Sequence, residues 1–388
     1  MGSQREQLSG GARLAIGLNL VFLGEEAAGA GRYVRELVPA LLEAEPSNRL
    51  VGFVSERVPP SVLAEPWAGE VEWVHVRLGG GARHLAMVMV GLPARAGRRG
   101  LDVLHSPANV GPLLAPRAAK VVTLLDLIPL HQGEGWEAGR RARFAMGTLG
   151  LASARRADRV LAISEAAKRD FVETVGLPAE KIDVTPLGVR VDERAEATAA
   201  EELRARFDLG PGPIILSVAQ KRLYKNLGAL VRAMPDLENE ARLILVGSST
   251  AHEEELRALV VSLGVAERVR FTDWLPERDL EGLYRAATCF ALPSLIEGFG
   301  LPVLEAMARG LPVACSDRYA LPEVTGGVAV LFDPEDQAAV NGALRRLLTD
   351  EALRSELGRK GRERARSFTW ARTARATLES YRKAAACT

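Results

Sequence analysis

The chain has little of several things that would narrow its role. Of its 388 residues only 3 are cysteine, Cys289, Cys315 and Cys387. An odd number without metal-ligand spacing argues against a disulfide framework or a zinc cluster and suits a reducing cytosol. Charge of one sign is scarce too: 50 Lys and Arg stand against 49 Asp and Glu, a formal net charge of +1. Global electrostatics therefore imply no nucleic acid or other polyionic partner. No stretch reaches the ~20 consecutive apolar residues of a membrane helix. The apolar run Leu14 to Gly24 carries Asn19 and is followed by Glu25, Glu26 and an amphipathic stretch, so it reads as a first strand rather than a secretory signal. No internal repeat is visible, and no D-x-D motif sits in a suitable loop for metal binding.

What is present is a long chain, 47% hydrophobic and 26% charged, enough for two globular domains. Apolar strand-like runs alternate with amphipathic helices twice over. They lie near 13–20, 49–54, 71–76, 102–106, 119–124 and 159–163, then near 213–219, 242–247, 268–272, 288–293, 311–316 and 328–332. Such alternation predicts an α/β protein with two parallel, doubly wound sheets. We place a first domain at 12–188, a linker at 189–212 rich in Ala, Glu, Gly and Pro, a second domain at 213–367, and a terminal helix at 368–388. Ligands of open parallel sheets bind beyond the carboxyl ends of the strands, so two such domains predict a cleft lined by both sets of loops.

The most informative segment is Pro293 to Asp317, PSLIEGFGLPVLEAMARGLPVACSD. Pro302 fits a first helical turn and Gly310 a C-terminal cap, which predicts a short helix over 301–309. Glu297 falls in the loop before it and Glu305 on its first turn. Unpaired N–H groups at a helix start, with the positive end of the dipole, attract phosphate, and Gly298 and Gly300 let backbone come close to a ligand. Carboxylates meanwhile accept paired hydrogen bonds from sugar hydroxyls. A nucleotide-sugar satisfies both demands. A second loop, KRLYKN at 221–226, follows the apolar run IILSVA and offers Lys221, Arg222 and Lys225 to a diphosphate, Arg222 as a fork and Lys225 as a point charge. In GAGRYV the third glycine position of a dinucleotide fingerprint is Val34, so a nicotinamide site is not expected.

The segment 293–317 resembles the donor-binding signature of retaining GT-B glycosyltransferases of the family-4 type. The resemblance extends through GAGRYVREL at 29–37, DVLHSP at 102–107, VVTLLDLIPL at 121–130, ADRVLAISEAAKRDF at 157–171, SVAQKRLYKNL at 217–227, LPEV at 321–324 and FTWARTARATLESYR at 368–382. It implies the GT-B fold, two Rossmann-like domains facing an interdomain cleft, with the last helix crossing back to the first domain. It also implies transfer with retention from a nucleotide-sugar, a UDP- or GDP-sugar above all. Arg222 and Lys225 carry the leaving diphosphate without a metal, Glu305 holds the ribose, and Glu297 acts as a nucleophile or binds the sugar hydroxyls. The backbone at Gly298, Phe299, Gly300 and Leu301 lines the phosphate site. Gly29 and Gly31 either approach the donor phosphate from the opposite wall or merely permit a tight turn.

There is one departure. The family usually carries a His before the Asp that ends the TLLDL strand; here Leu125 precedes Asp126. His105, at the end of a neighbouring strand, is the first substitute to consider, and His131 the second. Between Arg77 and Arg169 stand 15 Lys and Arg against 6 Asp and Glu, clustered at Arg95/Arg98/Arg99, Arg140/Arg141/Arg143 and Arg155/Arg156/Arg159 behind the apolar run His84 to Leu92. These clusters fit either a solvated surface or peripheral contact of a cytoplasmic protein with an anionic bilayer. The acceptor is left open among a glycan, a lipid-linked sugar and a small natural product. Two other readings stay open as well: a donor-binding partner subunit without turnover, and an epimerase or glycogen-synthase-like enzyme on the same scaffold.

Overall fold

The computed structural model describes residues 13–24, 29–78, 86–115, 117–131, 146–192, 195–238 and 240–387. Within them the chain forms two parallel sheets. The first holds β1 (Ala15–Asn19), β2 (Arg49–Ser55), β3 (Glu72–Val76), β4 (Val103–Ser106), β5 (Ala119–Leu124), β6 (Arg159–Ala162) and β7 (Ile182–Val184) in the order 3-2-1-4-5-6-7. The second holds β8 (Ile214–Val218), β9 (Arg242–Val246), β10 (Val269–Thr272), β11 (Cys289–Leu292), β12 (Val313–Ser316) and β13 (Val330–Phe332) in the order 10-9-8-11-12-13. Counted from each sheet's own first strand, the first six strands of both follow the same order. Each sheet reverses direction next to its first strand, beside β4 and β11, and ligands of such sheets bind at that crevice.

The central strands are largely apolar because helices cover both their faces: every residue of β8 and of β11 is buried. Strand β7, three residues of mixed burial, escapes sequence reading because it is too short for a pattern. The expected linker is also shorter than its composition implies. The helix Ala200–Arg206 packs on the helix Glu277–Ala286, with Leu203 fully buried and Thr198 bonded to Asp279. Residues 198–206 are thus part of the second domain's packing.

The last helix, Trp370–Ala385, is started by Thr369, whose hydroxyl accepts from the Arg372 N–H. It lies against the first domain, on helix α1 (Gly29–Ala44) and the strands β4 to β7. Outgoing and returning chains touch where they cross. Val189 N–H donates to Phe368 O at 3.0 Å, and a Cβ at Gly188 would collide with the Trp370 backbone, so only glycine fits. One hydrophobic cluster runs through both sheets and this helix.

Candidate functional site

The loop between β11 and the helix Leu301–Ala308 is built by two constraints. Gly300, at φ +92° and ψ 44°, enters the left-handed region to start the helix. A side chain there would also meet Leu321 at 2.5 Å. Gly298 is pressed against the opposite domain: a Cβ would lie 2.7 Å from the Leu125 carbonyl oxygen, and Ser164 Oγ donates to the Gly298 carbonyl at 2.8 Å. Phe299 points inward, 2% exposed, edge-on to Phe368. It anchors the loop, leaving only its backbone for a ligand. Leu301 is half-buried and lines a small interdomain cavity with Arg32, Glu305 and Trp370.

Glu297 and Lys225 meet in this cleft. Lys225 Nζ donates to Glu297 Oε2 at 2.6 Å, and Ser294 Oγ donates to the same oxygen at 3.1 Å; each charged side chain is 12% exposed. Burial disfavours the ammonium, but the Glu297 carboxylate outweighs it and holds the Lys225 pKa above the usual lysine value. Lys225 also lies 5.1 Å from the Tyr224 ring centroid. Asn226 follows in the left-handed region at φ 50°, its amide fixed to Pro334 O at 2.8 Å. Arg222 is half-buried on the same turn, its Nε donating to Gln220 Oε1 at 3.1 Å.

Asp126 approaches from the first domain. It accepts the Ile128 N–H at 3.1 Å. Burial pushes its pKa up to about 6, opposed by the Ile128 N–H and Lys225 and reinforced by the fields of Glu297 and Asp170. Asp126, Glu297 and Lys225 therefore share one electrostatic neighbourhood across the cleft. The β5 end that carries Asp126 is held by Asn109, whose Oδ1 accepts the Leu125 N–H at 2.7 Å.

Several expectations need correction. His105 does not face the cleft. It is fully buried, with Nδ1 2.7 Å from Tyr381 Oη and Nε2 2.8 Å from Thr123 Oγ1. Burial lowers its pKa to about 3. It pins the terminal helix to β5 and has no path to a substrate. Lys221 is also fully buried, bonded to the Gly247 and Thr272 carbonyls and ion-paired with Glu253, so it braces the sheet edge rather than a diphosphate. Glu305 sits on the second helical turn and is 2% exposed. It accepts from Tyr284 Oη at 3.0 Å and pairs with Arg32 of α1. Both carboxylate oxygens of Glu305 are thus engaged, Oε1 by an arginine from the opposite domain and Oε2 by Tyr284. Gly29 and Gly31 lie within the first turn of α1, and Gly29 has open space around its Cα, so a tight approach does not require it.

Sequence reasoning missed the contacts that join the domains here. Glu323 of the LPEV segment accepts the Glu165 and Ala166 N–H groups at 3.0 Å each, capping the helix Glu165–Val175 from across the cleft. Ser164 caps the same helix through Ala167 N–H. Nothing in the segment 157–171 named an interdomain partner.

Of the basic clusters, Arg95 bonds to Gly91 O, Arg99 pairs with Glu72, Arg155 bonds to Val175 O, and Arg159 forks onto Asp183. These arginines serve the fold. His84, Arg140, Arg141 and Arg143 lie outside the described residues. Among the described residues no helix is long and apolar enough to cross a membrane.

Residues 27–193 match the family model described as Glycosyltransferase Family 4, and residues 200–364 match the one described as Glycosyl transferases group 1. The D-inositol 3-phosphate glycosyltransferase of Acidothermus cellulolyticus is 31% identical over 376 residues, 92% of this chain and 77% of that one. The chain belongs to the family-4 glycosyltransferases. The O-antigen chain mannosyltransferase B of Escherichia coli is 30% identical over 229 residues, 58% of this chain; the match spans 60% of that protein's length. Matches to three longer mannosyltransferases of the same organism span about a third of their lengths, 31 to 32%. Among solved structures, the HepE protein of Anabaena in complex with UDP and glucose superposes with a TM-score of 0.74 at 20% identity, covering 95% of this chain and 99% of that one. The fold of this family-4 chain is GT-B.

Proposed function

We propose that this family-4 chain transfers a sugar from a nucleotide-sugar donor to a glycan or polyol acceptor, with retention and without a metal ion. The observation that carries the reading is the Lys225–Glu297 pair at 2.6 Å, set beside the glycine loop Gly298–Gly300 and facing Asp126. A diphosphate in that loop meets backbone N–H groups, Lys225 and the Arg222 guanidinium; the donor sugar then lies against Glu297. Preorganised positive groups aimed at the developing diphosphate charge supply the principal rate effect. Arg222 and Lys225 play the part a divalent cation plays elsewhere. The named relatives support a hexose donor, and HepE, seen with UDP, supports a nucleoside diphosphate.

Donor entry has one requirement. Glu305 holds Arg32, so ribose binding there requires Arg32 to swing away. Calorimetry with UDP and with GDP, each with and without a chelator, tests the reading. Micromolar binding of one nucleotide, unaffected by the chelator, is expected. Binding of neither, or binding only with added divalent metal, overturns it.

A further inference from the structure

Leu125 leaves the usual histidine position without a hydrogen-bonding group, and the cleft holds a different imidazole. His131 ends the short helix Ile128–His131 that follows Asp126. Its Nε2 lies 2.8 and 2.9 Å from the two carboxylate oxygens of Asp170. Asp170 is itself fixed by the Thr174 hydroxyl at 2.7 Å and is 13% exposed at its side chain. In the neutral ring a carboxylate in that position makes Nε2 the protonated nitrogen and leaves Nδ1 with a lone pair. Among the described residues Nδ1 has no partner, and the His131 side chain is 22% exposed, so the lone pair is open to a ligand.

The pair belongs to the cleft by two independent observations. The Tyr319 ring, from the loop after β12 in the second domain, meets the His131 ring edge-on at 6.0 Å between centroids. Tyr319 adopts φ +52°, a left-handed conformation uncommon for an aromatic residue and typical of functional sites. The field of Asp170 also reaches Asp126, which shares the neighbourhood of Glu297 and Lys225. His131 therefore stands on the first domain's wall, beyond Asp126 as seen from the donor loop.

We propose that His131 binds the acceptor, its Nδ1 accepting a hydrogen bond from a hydroxyl of a sugar or cyclitol, with Asp170 as the positioning residue that sets its tautomer and Tyr319 as the apolar wall against the acceptor ring. This rests on the donor reading above and adds the acceptor side of the same cleft. An imidazole lone pair suits a neutral hydroxyl donor, and an aromatic face packs on the C–H groups of a pyranose or cyclitol. His131 is the hydroxyl contact that Leu125 cannot make.

The test separates acceptor from donor. His131→Ala, His131→Gln, Asp170→Asn and Asp170→Glu are compared with the wild-type chain for UDP and GDP affinity by calorimetry. The same variants are assayed for transfer from UDP-glucose and GDP-mannose to methyl α-mannoside and D-inositol 3-phosphate. His131→Ala and Asp170→Asn should raise the acceptor KM about tenfold or more, change kcat less, and leave nucleotide affinity within about twofold. Asp170→Asn presents an amide N–H to Nε2, turns the tautomer over and makes Nδ1 a donor, an effect no merely structural role predicts. Asp170→Glu should restore much of the loss. Wild-type acceptor KM in His131→Ala or Asp170→Asn overturns the proposal, as does a parallel loss of nucleotide affinity in all four variants. A wild type that binds nucleotide yet transfers to neither acceptor overturns the sugar or cyclitol assignment. Failure to bind either nucleotide overturns the donor reading instead.

Discussion

The two domains share a strand order and differ in how their function is written into sequence. In the second, Glu297, the glycine loop, the helix start and Glu305 fall within 9 consecutive residues, and the chain's own bonds assemble them. Lys225 and Tyr284 are brought to the two glutamates from elsewhere in that domain. In the first domain Asp126, His131 and Asp170 span three elements and become neighbours only after β5 and the helix Glu165–Val175 are in place. A donor site made of backbone groups at one strand-to-helix turn reads as a unit; on the first domain's wall Asp126 and His131 could be picked out singly, but nothing local joined them to Asp170.

The largest effect is expected at Lys225. Lys225→Ala leaves Glu297 charged and largely buried with only Ser294 as a partner, and breaking a buried pair from one side costs about 3–5 kcal/mol. Partial exposure of both groups places the stability loss at the lower end. Nucleotide affinity should fall as well, by roughly 1–3 kcal/mol if the charged contact is direct. Replacing Lys225 and Glu297 together by Met and Gln should recover stability without recovering nucleotide affinity. Denaturant titration and calorimetry on the single and double variants check this; full stability in Lys225→Ala would show that the pair is solvated and the second domain's site less preorganised than its geometry implies.

His105 tests the other domain. His105→Ala removes a buried ring and strands the Tyr381 hydroxyl, leaving Thr123 Oγ1 only its 3.4 Å contact with Tyr33 Oη, with an expected loss of about 2–4 kcal/mol. Nucleotide affinity of the folded protein should not change, because the ring is far inside the sheet. The neutral ring also makes stability depend on pH. The folded pKa is lowered to about 3 from 6.5, so the unfolded chain binds the proton first, and the contribution is lost as pH falls from 6.5 toward 3. Chemical denaturation between pH 7 and 4 should show that slope in the wild type and lack it in His105→Gln.

These two residues show what was legible. The strand pattern exposed both sheets because buried parallel strands are continuous apolar runs, and only the three-residue β7 fell below that signal. The glycines and Pro302 exposed the donor loop because each constrains local backbone. Burial of one particular polar side chain is not a local property. His105 ends an apolar run at a cleft-facing edge by sequence, yet the pleat turns its ring under Tyr381, a residue 276 positions away. Lys221 misled for the same reason, sitting one residue before Arg222 and pointing the other way. Arg32 on Glu305 and Glu323 on the helix at Glu165 are interdomain contacts, and no spacing rule reaches across a linker.

Between these extremes stand the two glycines of the donor loop. Gly300→Ala places a Cβ 2.5 Å from Leu321 at φ +92°, within the second domain, and should cost about 1–3 kcal/mol of stability. Gly298→Ala collides with Leu125 O at 2.7 Å, which a small opening of the cleft relieves. Stability should therefore change little while the domains part. Small-angle scattering should show a larger radius of gyration for Gly298→Ala alone. Equal destabilisation with no change of shape would mean that the two domains move as one body, and the contrast between them would lose its mechanical side.

The smallest effect expected is at Asp126, and its sign is opposite to that of His105. Its folded pKa, about 6 against 3.8 for the free side chain, favours the protonated form in the folded chain. Between those values the folded state holds more protons than the unfolded one, so this group's contribution is full below pH 3.8 and is lost as pH rises toward 6. Above pH 6 the residue is ionised in both states and the penalty is constant. Asp126→Asn keeps an oxygen for the Ile128 N–H and removes the charge facing Glu297, so it should stabilise the fold at pH 7 by about 1 kcal/mol after allowance for solvent screening. The gain should vanish at pH 4. Because Asp126 faces Glu297 in the proposed donor cleft, Asp126→Asn should lower transfer while it raises the melting temperature. A variant with both properties unchanged would place Asp126 in ordinary solvent and return the first domain's wall to His131 alone.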